Sequence, residues 1–259
     1  MEQQEQPVKQ ELPYPTEVVD LPSKGIFYPE GHPLRSGQIE LKYMTAKEED
    51  ILTSSNLIEK GVVLDRLMDS LIVTKRVKSK DLLLGDLNAV MVASRILGYG
   101  KDYEVRMVCP SCGRTSTQSV DLTELDTKNE PDLENPPTFS VVLPLSKKTV
   151  TLKLLTRSDE LDIDKEVKSL KKTGATSLGD STARLRAIIV DVDGDDSQGG
   201  IWQFVENLLV QDARYLRDQY SSMVPDVDFT VQIECSCDED PGTGRLPIGT
   251  KFFWPDAKI

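Results

Sequence analysis

Cys109-Pro110-Ser111-Cys112-Gly113 is the stretch whose reading decides the fold. Two cysteines two residues apart, with a proline between them and a glycine after, read as a metal knuckle. The turn lets both thiolates face one ion, and Gly113 can take the positive φ that such a corner requires. Cys235 and Cys237, the other cysteines of the chain, lie more than a hundred residues downstream. Four thiolates in two close pairs are the donor count of a closed tetrahedral site, so Cys109, Cys112, Cys235 and Cys237 are the expected ligands of a structural Zn2+. Free or redox-active thiols and disulfides are the two other readings; the polar, acidic stretch after Met1, with no apolar signal region, disfavours disulfides. In a regular strand the thiols of Cys235-Ser236-Cys237 would face opposite sides, so this pair is expected to leave strand geometry to chelate.

At 259 residues the chain can bury one large core or two small ones. Its 43 acids against 31 basic residues give a formal charge of −12, which argues against a phosphate-binding groove. No apolar run reaches membrane-spanning length, so a soluble protein is expected. His32, the single histidine, sits among Pro and Gly and reads as a surface residue rather than a catalyst.

Residues 1–20, rich in Gln, Glu and Pro, read as a disordered or partner-ordered arm. Leu21-Pro22-Ser23-Lys24-Gly25 is turn chemistry, followed by an alternating strand over residues 38–43. Thr45 and Glu48 make a capping box that opens a helix to about residue 52. Further helices are expected over 61–74 and 85–97, then strands over 103–108 and 117–122 on either side of the knuckle. A charged, proline-bearing linker follows over 127–137. Beyond it come strands over 139–143 and 149–154, a helix from 156 to 172 stopped by Gly174, and a helical stretch over 183–190. The acidic loop 191–200 lacks the closing Glu of a calcium loop and reads as a solvated turn. One long helix is expected over 202–220, with Trp202, Val205, Leu209, Ala213, Leu216 and Tyr220 on its core face. Residues 228–234 alternate into Cys235, and residues 251–255 read as a final apolar strand.

The two halves repeat one another. Ile39, Leu41-Lys42, Thr45 and Glu48 meet Val150, Leu152-Lys153, Thr156 and Asp159 at a constant offset of 111 (150 − 39). Leu82-Leu83, Asp86, Asp102-Tyr103, Val105 and Cys109 meet Leu208-Leu209, Asp212, Asp228-Phe229, Val231 and Cys235 at an offset of 126 (235 − 109). The 15 extra residues of the second copy fit loops around 172–180 and 191–200, where insertions cost little. The expected fold class is therefore α+β: a duplicated strand–helices–strand–knuckle unit, its two knuckles joined in one zinc-ribbon-like site across a pseudo-two-fold axis. The first repeat takes residues 21–126 and the second 138–259.

Leu21 to Gly25 ahead of the Thr-x-x-Glu-Glu helix, Arg95 with Tyr99-Gly100-x-x-Tyr103, the Cys-Pro-Ser-Cys-Gly knuckle, and Asp212-Ala-Arg-x-Leu-Arg217 with Pro225-Asp-Val-Asp228 together form a pattern. It resembles the baseplate hub and hub-assembly proteins of T4-like contractile-tailed bacteriophages, over about residues 20–255. The resemblance implies a non-enzymatic late protein of the virion or of tail assembly, found in the baseplate or in the host cytoplasm during assembly. Its partners would be other tail proteins, with no membrane and no small-molecule substrate. Cys-x-Cys at 235–237 departs from a paired Cys-x-x-Cys pattern. The competing reading is a zinc-ribbon adaptor for nucleic acid or transcription machinery, against which the acidic charge counts. No nucleophile–base pair, phosphate-binding glycine loop or histidine cluster points to an enzyme.

Overall fold

The computed structural model describes residues 14–134, 139–172, 179–237 and 241–253. Residues 1–13 of the arm, 135–137 of the linker, the Gly174 helix stop and Trp254 lie outside them.

The chain is α+β. Strand β1 (Thr16–Asp20) pairs antiparallel with β2 (Gln38–Lys42), Val19 opposite Ile39. Residues 16–20, assigned to the arm from sequence, thus belong to the folded body. Adjacent Val18 and Val19 flanked by acids show no clean alternation, and β2 supplies the pairing that the sequence alone does not signal. Three helices follow: α1 (Ala46–Leu52), α2 (Ser55–Glu59), which the sequence did not signal, and α3 (Val63–Leu71), within the stretch expected over 61–74. After α3, Ile72 bridges back to Leu41 of β2. Helix α4 (Leu84–Tyr99) leads into a hairpin of β3 (Asp102–Val108) and β4 (Thr115–Asp121), and β5 (Thr127–Lys128) closes the first half.

In the second half β6 (Ser140–Val142) and β7 (Thr149–Leu152) pair antiparallel, followed by α5 (Arg157–Lys172) and α6 (Asp180–Ile188). The chain then turns into β8 (Ile189–Val192), which joins β7 with Ile189 opposite Leu152. The helix expected over 183–190 is therefore helical to Ile188, and its last two residues open strand β8; the β-branched run Ile188-Ile189-Val190 is too short for periodicity to separate the two. The long helix expected over 202–220 is also two, α7 (Gln198–Glu206) and α8 (Val210–Met223). At the corner between them Leu209 is extended and caps α8. Apolar spacing runs on through the corner, which is why it reads as one helix. The break removes two residues from the core face: Trp202 is 39% and Leu209 52% exposed, whereas Val205, Ala213 and Leu216 are buried. Last come β9 (Asp226–Val227) beside β5, the hairpin of β10 (Thr230–Gln232) and β11 (Thr243–Arg245), and a 3-10 turn at Thr250–Phe253 in place of the expected strand.

Two hydrophobic cores result. One gathers residues 21–122 together with Val227, Phe229, Ile233, Leu246, Phe252 and Phe253; the other runs from Val141 to Leu216. The buried apolar residues described after α8 all belong to the first core, so the spatial division does not follow the halves of the sequence. Arg95 holds that return in place. Fully buried, it donates to the carbonyls of Phe252 (2.9 Å), Gly100 (2.9 Å) and Asp102 (3.2 Å) and lies over the ring of Tyr99. Burial lowers its pKa. The Leu21–Gly25 motif is a second tie. Ser23 donates through its amide (2.9 Å) and hydroxyl (2.7 Å) to the buried Asp86 in the first turn of α4, and the Tyr28 hydroxyl donates to the same carboxylate. Gly25, at φ +76°, leaves no room for a side chain, since a Cβ would lie 2.5 Å from the Leu34 carbonyl oxygen.

At the start of each half a lysine, a threonine and a carboxylate are joined in the same way. Lys42 Nζ donates to Glu48 at 2.7 Å and Lys153 Nζ to Asp159 at 2.7 Å. The amides of Thr45 and Thr156 each donate to the same carboxylates at 2.9 Å. Burial pushes the Glu48 carboxyl up, but the donors on Lys42, Ser70 and Thr45 outweigh it and hold the pKa at about 2. A carboxylate depressed in this way stabilises the fold above its unfolded pKa of about 4.3, and that stability is lost as pH falls toward 2. Glu48→Gln should cost about 3 kcal/mol at neutral pH, because Lys42 is left buried without its partner. It should also flatten the loss of melting temperature between pH 5 and pH 2, measured by thermal denaturation across that range.

Candidate metal centre

The first knuckle is the turn of the β3–β4 hairpin. The strands end with Val108 opposite Thr115. The Cys109 amide then donates to the Arg114 carbonyl (2.9 Å) and the Gly113 amide to the Cys109 carbonyl (2.8 Å). Gly113 sits at φ +71°, the left-handed geometry that the tight corner was expected to need. The second knuckle follows β10, whose ladder ends at Gln232, so Cys235 and Cys237 lie outside strand geometry, as two chelating thiols at i and i+2 require.

The two turns meet. The sulfurs of Cys109 and Cys237 are 3.8 Å apart, those of Cys112 and Cys235 3.6 Å, and all four lie within 4.8 Å of one another. These separations are far beyond the roughly 2.05 Å of a disulfide. The 3.6 and 3.8 Å pairs match the edge of about 3.8 Å that a tetrahedron with metal–sulfur bonds of about 2.3 Å would have, and the remaining pairs lie within 4.8 Å. The partners cross between hairpins, Cys109 with Cys237 and Cys112 with Cys235, so neither turn can close the cluster alone. Cys109 is fully buried, Cys112 is exposed, and the other two are half-buried. The Arg114 amide and guanidinium hold the Cys112 thiol down to about 6. The guanidinium lies 3.4 Å from the Cys112 sulfur and reaches the Ser236 carbonyl. Four sulfurs without nitrogen or oxygen donors suit a soft, tetrahedral divalent ion such as zinc.

Two residues without a sequence-based assignment, Gln118 and Ser116, align the hairpins. Gln118 of β4 donates from Nε2 to the Gln232 carbonyl (2.8 Å) and accepts the Glu234 amide at Oε1 (2.9 Å). Ser116 donates to the Glu234 carbonyl at 2.7 Å. The signal was present as strand parity: Gln118 is polar yet occupies the inward position of β4, and it is 6% exposed.

The other candidates do local structural work. His32 accepts the Leu34 amide and stacks on Tyr28 at 5.1 Å. In the acidic loop Asp191, Asp193 and Asp195 accept the amides of Gly194, Thr149 and Ser197. Among the described residues the four cysteines are the group of potential metal ligands that converges, and no helix is long and apolar enough to cross a membrane.

Fold and site together are an α+β body in which four cysteines converge where two hairpins meet. The chain belongs to the T4 bacteriophage base plate protein family, which matches residues 16–254, and this makes it a structural protein of a phage baseplate. No curated protein and no solved structure matches it.

Gln118→Ala should leave the Gln232 carbonyl and the Glu234 amide without their partner and destabilise the protein by about 2 kcal/mol, measured by denaturant unfolding. Hydrogen exchange should rise at Glu234 more than at the β1–β2 pair.

Proposed function

We propose that this protein is a zinc-stabilised structural or assembly component of the baseplate hub, acting through contacts with other tail proteins and not as an enzyme. The observation that carries the reading is the meeting of four sulfurs within 4.8 Å of one another, two pairs of them at the edge length of a tetrahedral thiolate site, in a chain of the baseplate family. Cys109, Cys112, Cys235 and Cys237 would hold one Zn2+ in a zinc-ribbon-like arrangement of two hairpins. The ion's chemistry there would be structural, since a closed four-thiolate shell leaves no position for substrate. Its location would be the tail baseplate of the virion, with the host cytoplasm as its place before assembly.

The same reading takes the chain as an internal duplication. Supporting it, α3 and α6 each have nine residues. The residue after each helix pairs antiparallel with the preceding strand, Ile72 with Leu41 and Ile189 with Leu152. That pair of contacts is offset by 117 (189 − 72), between the 111 of Leu41 and Leu152 and the 126 of Asp86 and Asp212. Six of the extra residues therefore precede β8 (117 − 111) and nine follow it (126 − 117), beside the two loops where the sequence offsets put them. Asp86 and Asp212 occupy the first turns of α4 and α8, and both are buried.

Metal removal tests the site. Stripping zinc with a strong chelator should lower the melting temperature by well over ten degrees, and Cys109→Ser should cost several kcal/mol because metal binding and folding are coupled. Unchanged melting on chelation would remove the metal from the account. The virion assignment is checked by mass spectrometry of purified particles: peptides at stoichiometry with other baseplate proteins are expected, and their absence would leave an assembly role alone.

A further inference from the structure

The two halves touch at a contact that is used once. Just before α4, Leu83 forms an antiparallel bridge with Thr156 of the second half. Around it the Leu84 amide donates to the Leu155 carbonyl (3.0 Å) and the Arg157 amide to the Leu82 carbonyl (2.9 Å). A first-turn amide of α4 and one of α5, which a helix leaves unpaired internally, are thereby satisfied. The contact covers apolar surface too, since Leu83 is 7% exposed.

By the repeat offsets, the second half carries the same receiving surface at Leu208-Leu209-Val210 ahead of α8, and the first half carries the same inserting segment at Met44-Thr45-Ala46 ahead of α1. A two-fold relation between the halves would join these as well. It does not: Leu209 is 52% and Val210 81% exposed, and Thr45 and Ala46 are exposed. Leu145, 50% exposed, adds to the bare surface from the loop whose amides at Leu145 and Ser146 are held by Asp212 in the first turn of α8. An apolar knob at a helix start is costly to leave in water, and here it matches a surface that the same chain already knows how to cover.

We propose that the surface formed by Leu145, Leu209 and Val210 binds a second copy of this chain, whose Met44–Ala46 segment inserts as Leu155–Arg157 does within the chain. The inference rests on the duplication of the proposed reading. The contact is head-to-tail, with the Val210 amide donating to the Met44 carbonyl of the next copy and the Ala46 amide of that copy donating to the Leu208 carbonyl. Because donor and acceptor surfaces are different patches, such a contact builds a ring or an open row of subunits, not a closed pair.

The test uses the full chain with its metal content and melting temperature measured alongside, so that loss of the metal site is told apart from loss of the contact. Sedimentation velocity should show concentration-dependent self-association. Val210→Asp should weaken it at least tenfold. Ala46→Pro should do the same while leaving α1 intact, since proline suits the first helical position after an extended residue and removes only the donating amide. A photo-crosslinking benzoylphenylalanine at position 210, in a mixture of isotopically labelled and unlabelled protein, should join the two kinds of chain at residues 44–47. A monomer at every concentration, self-association indifferent to both substitutions, or crosslinks that map elsewhere would each overturn the proposal, whether or not zinc is bound.

Discussion

The fold depends on one constraint: two cysteine-bearing turns that are more than a hundred residues apart in the chain have to meet sulfur to sulfur. Neither hairpin is large enough to be stable by itself in water, and each contributes half of a donor set. For them to meet, the chain has to build a second core from Val141 to Leu216 and then come back. The return is fixed at three levels. Gln118 sets the register of the two hairpins, Arg95 binds the carbonyl of Phe252 from inside α4, and Phe252 and Phe253 fill the first core. Arg95 with Phe252 closes a loop of 157 residues, and the cysteine cluster, Cys109 with Cys237, closes one of 128.

Buried polar groups do much of the specifying. Asp86, Glu48 and Arg95 are all close to fully buried, and each is met by several donors or acceptors rather than one. Asp86 has its pKa raised by burial, against which the donors on Ser23 and Tyr28 act. Groups satisfied this completely penalise any packing that breaks the set, which favours one arrangement of the ties over competing compact states. The two lysine–threonine–carboxylate clusters show the same local solution at two burial levels: buried at Glu48, more open at Asp159. The two buried aspartates at helix starts have different partners: Asp212 holds the amides of Leu145 and Ser146, whereas Asp86 holds Ser23.

Much of this was legible in the residues. The capping box at Thr45, the apolar stripe of α4, the alternation of β3 and the Cys-Pro-Ser-Cys-Gly turn are local signals, and local physics places them. The convergence of Cys235 and Cys237 on the first knuckle was legible only as ligand count, because no single stretch encodes a meeting over that distance. Strand β8 and the corner at Leu209 were not legible, since a short β-branched run and a continuous apolar spacing fit either structure until β7 and Asp212 decide. Gln118 and Arg95 were present as a polar residue on an inward strand position and a cation on an apolar helix; their partners lie elsewhere in the chain and could not be named from sequence.

The central claim is that the cysteine cluster is a zinc site and that the fold is closed through it. X-ray absorption spectroscopy at the zinc edge, on protein purified without chelator, tests it most directly. The account predicts one zinc per chain with four sulfur neighbours at about 2.3 Å and no nitrogen or oxygen in the first shell. A folded protein with no zinc edge, or a zinc bound by two sulfurs and water, would contradict it.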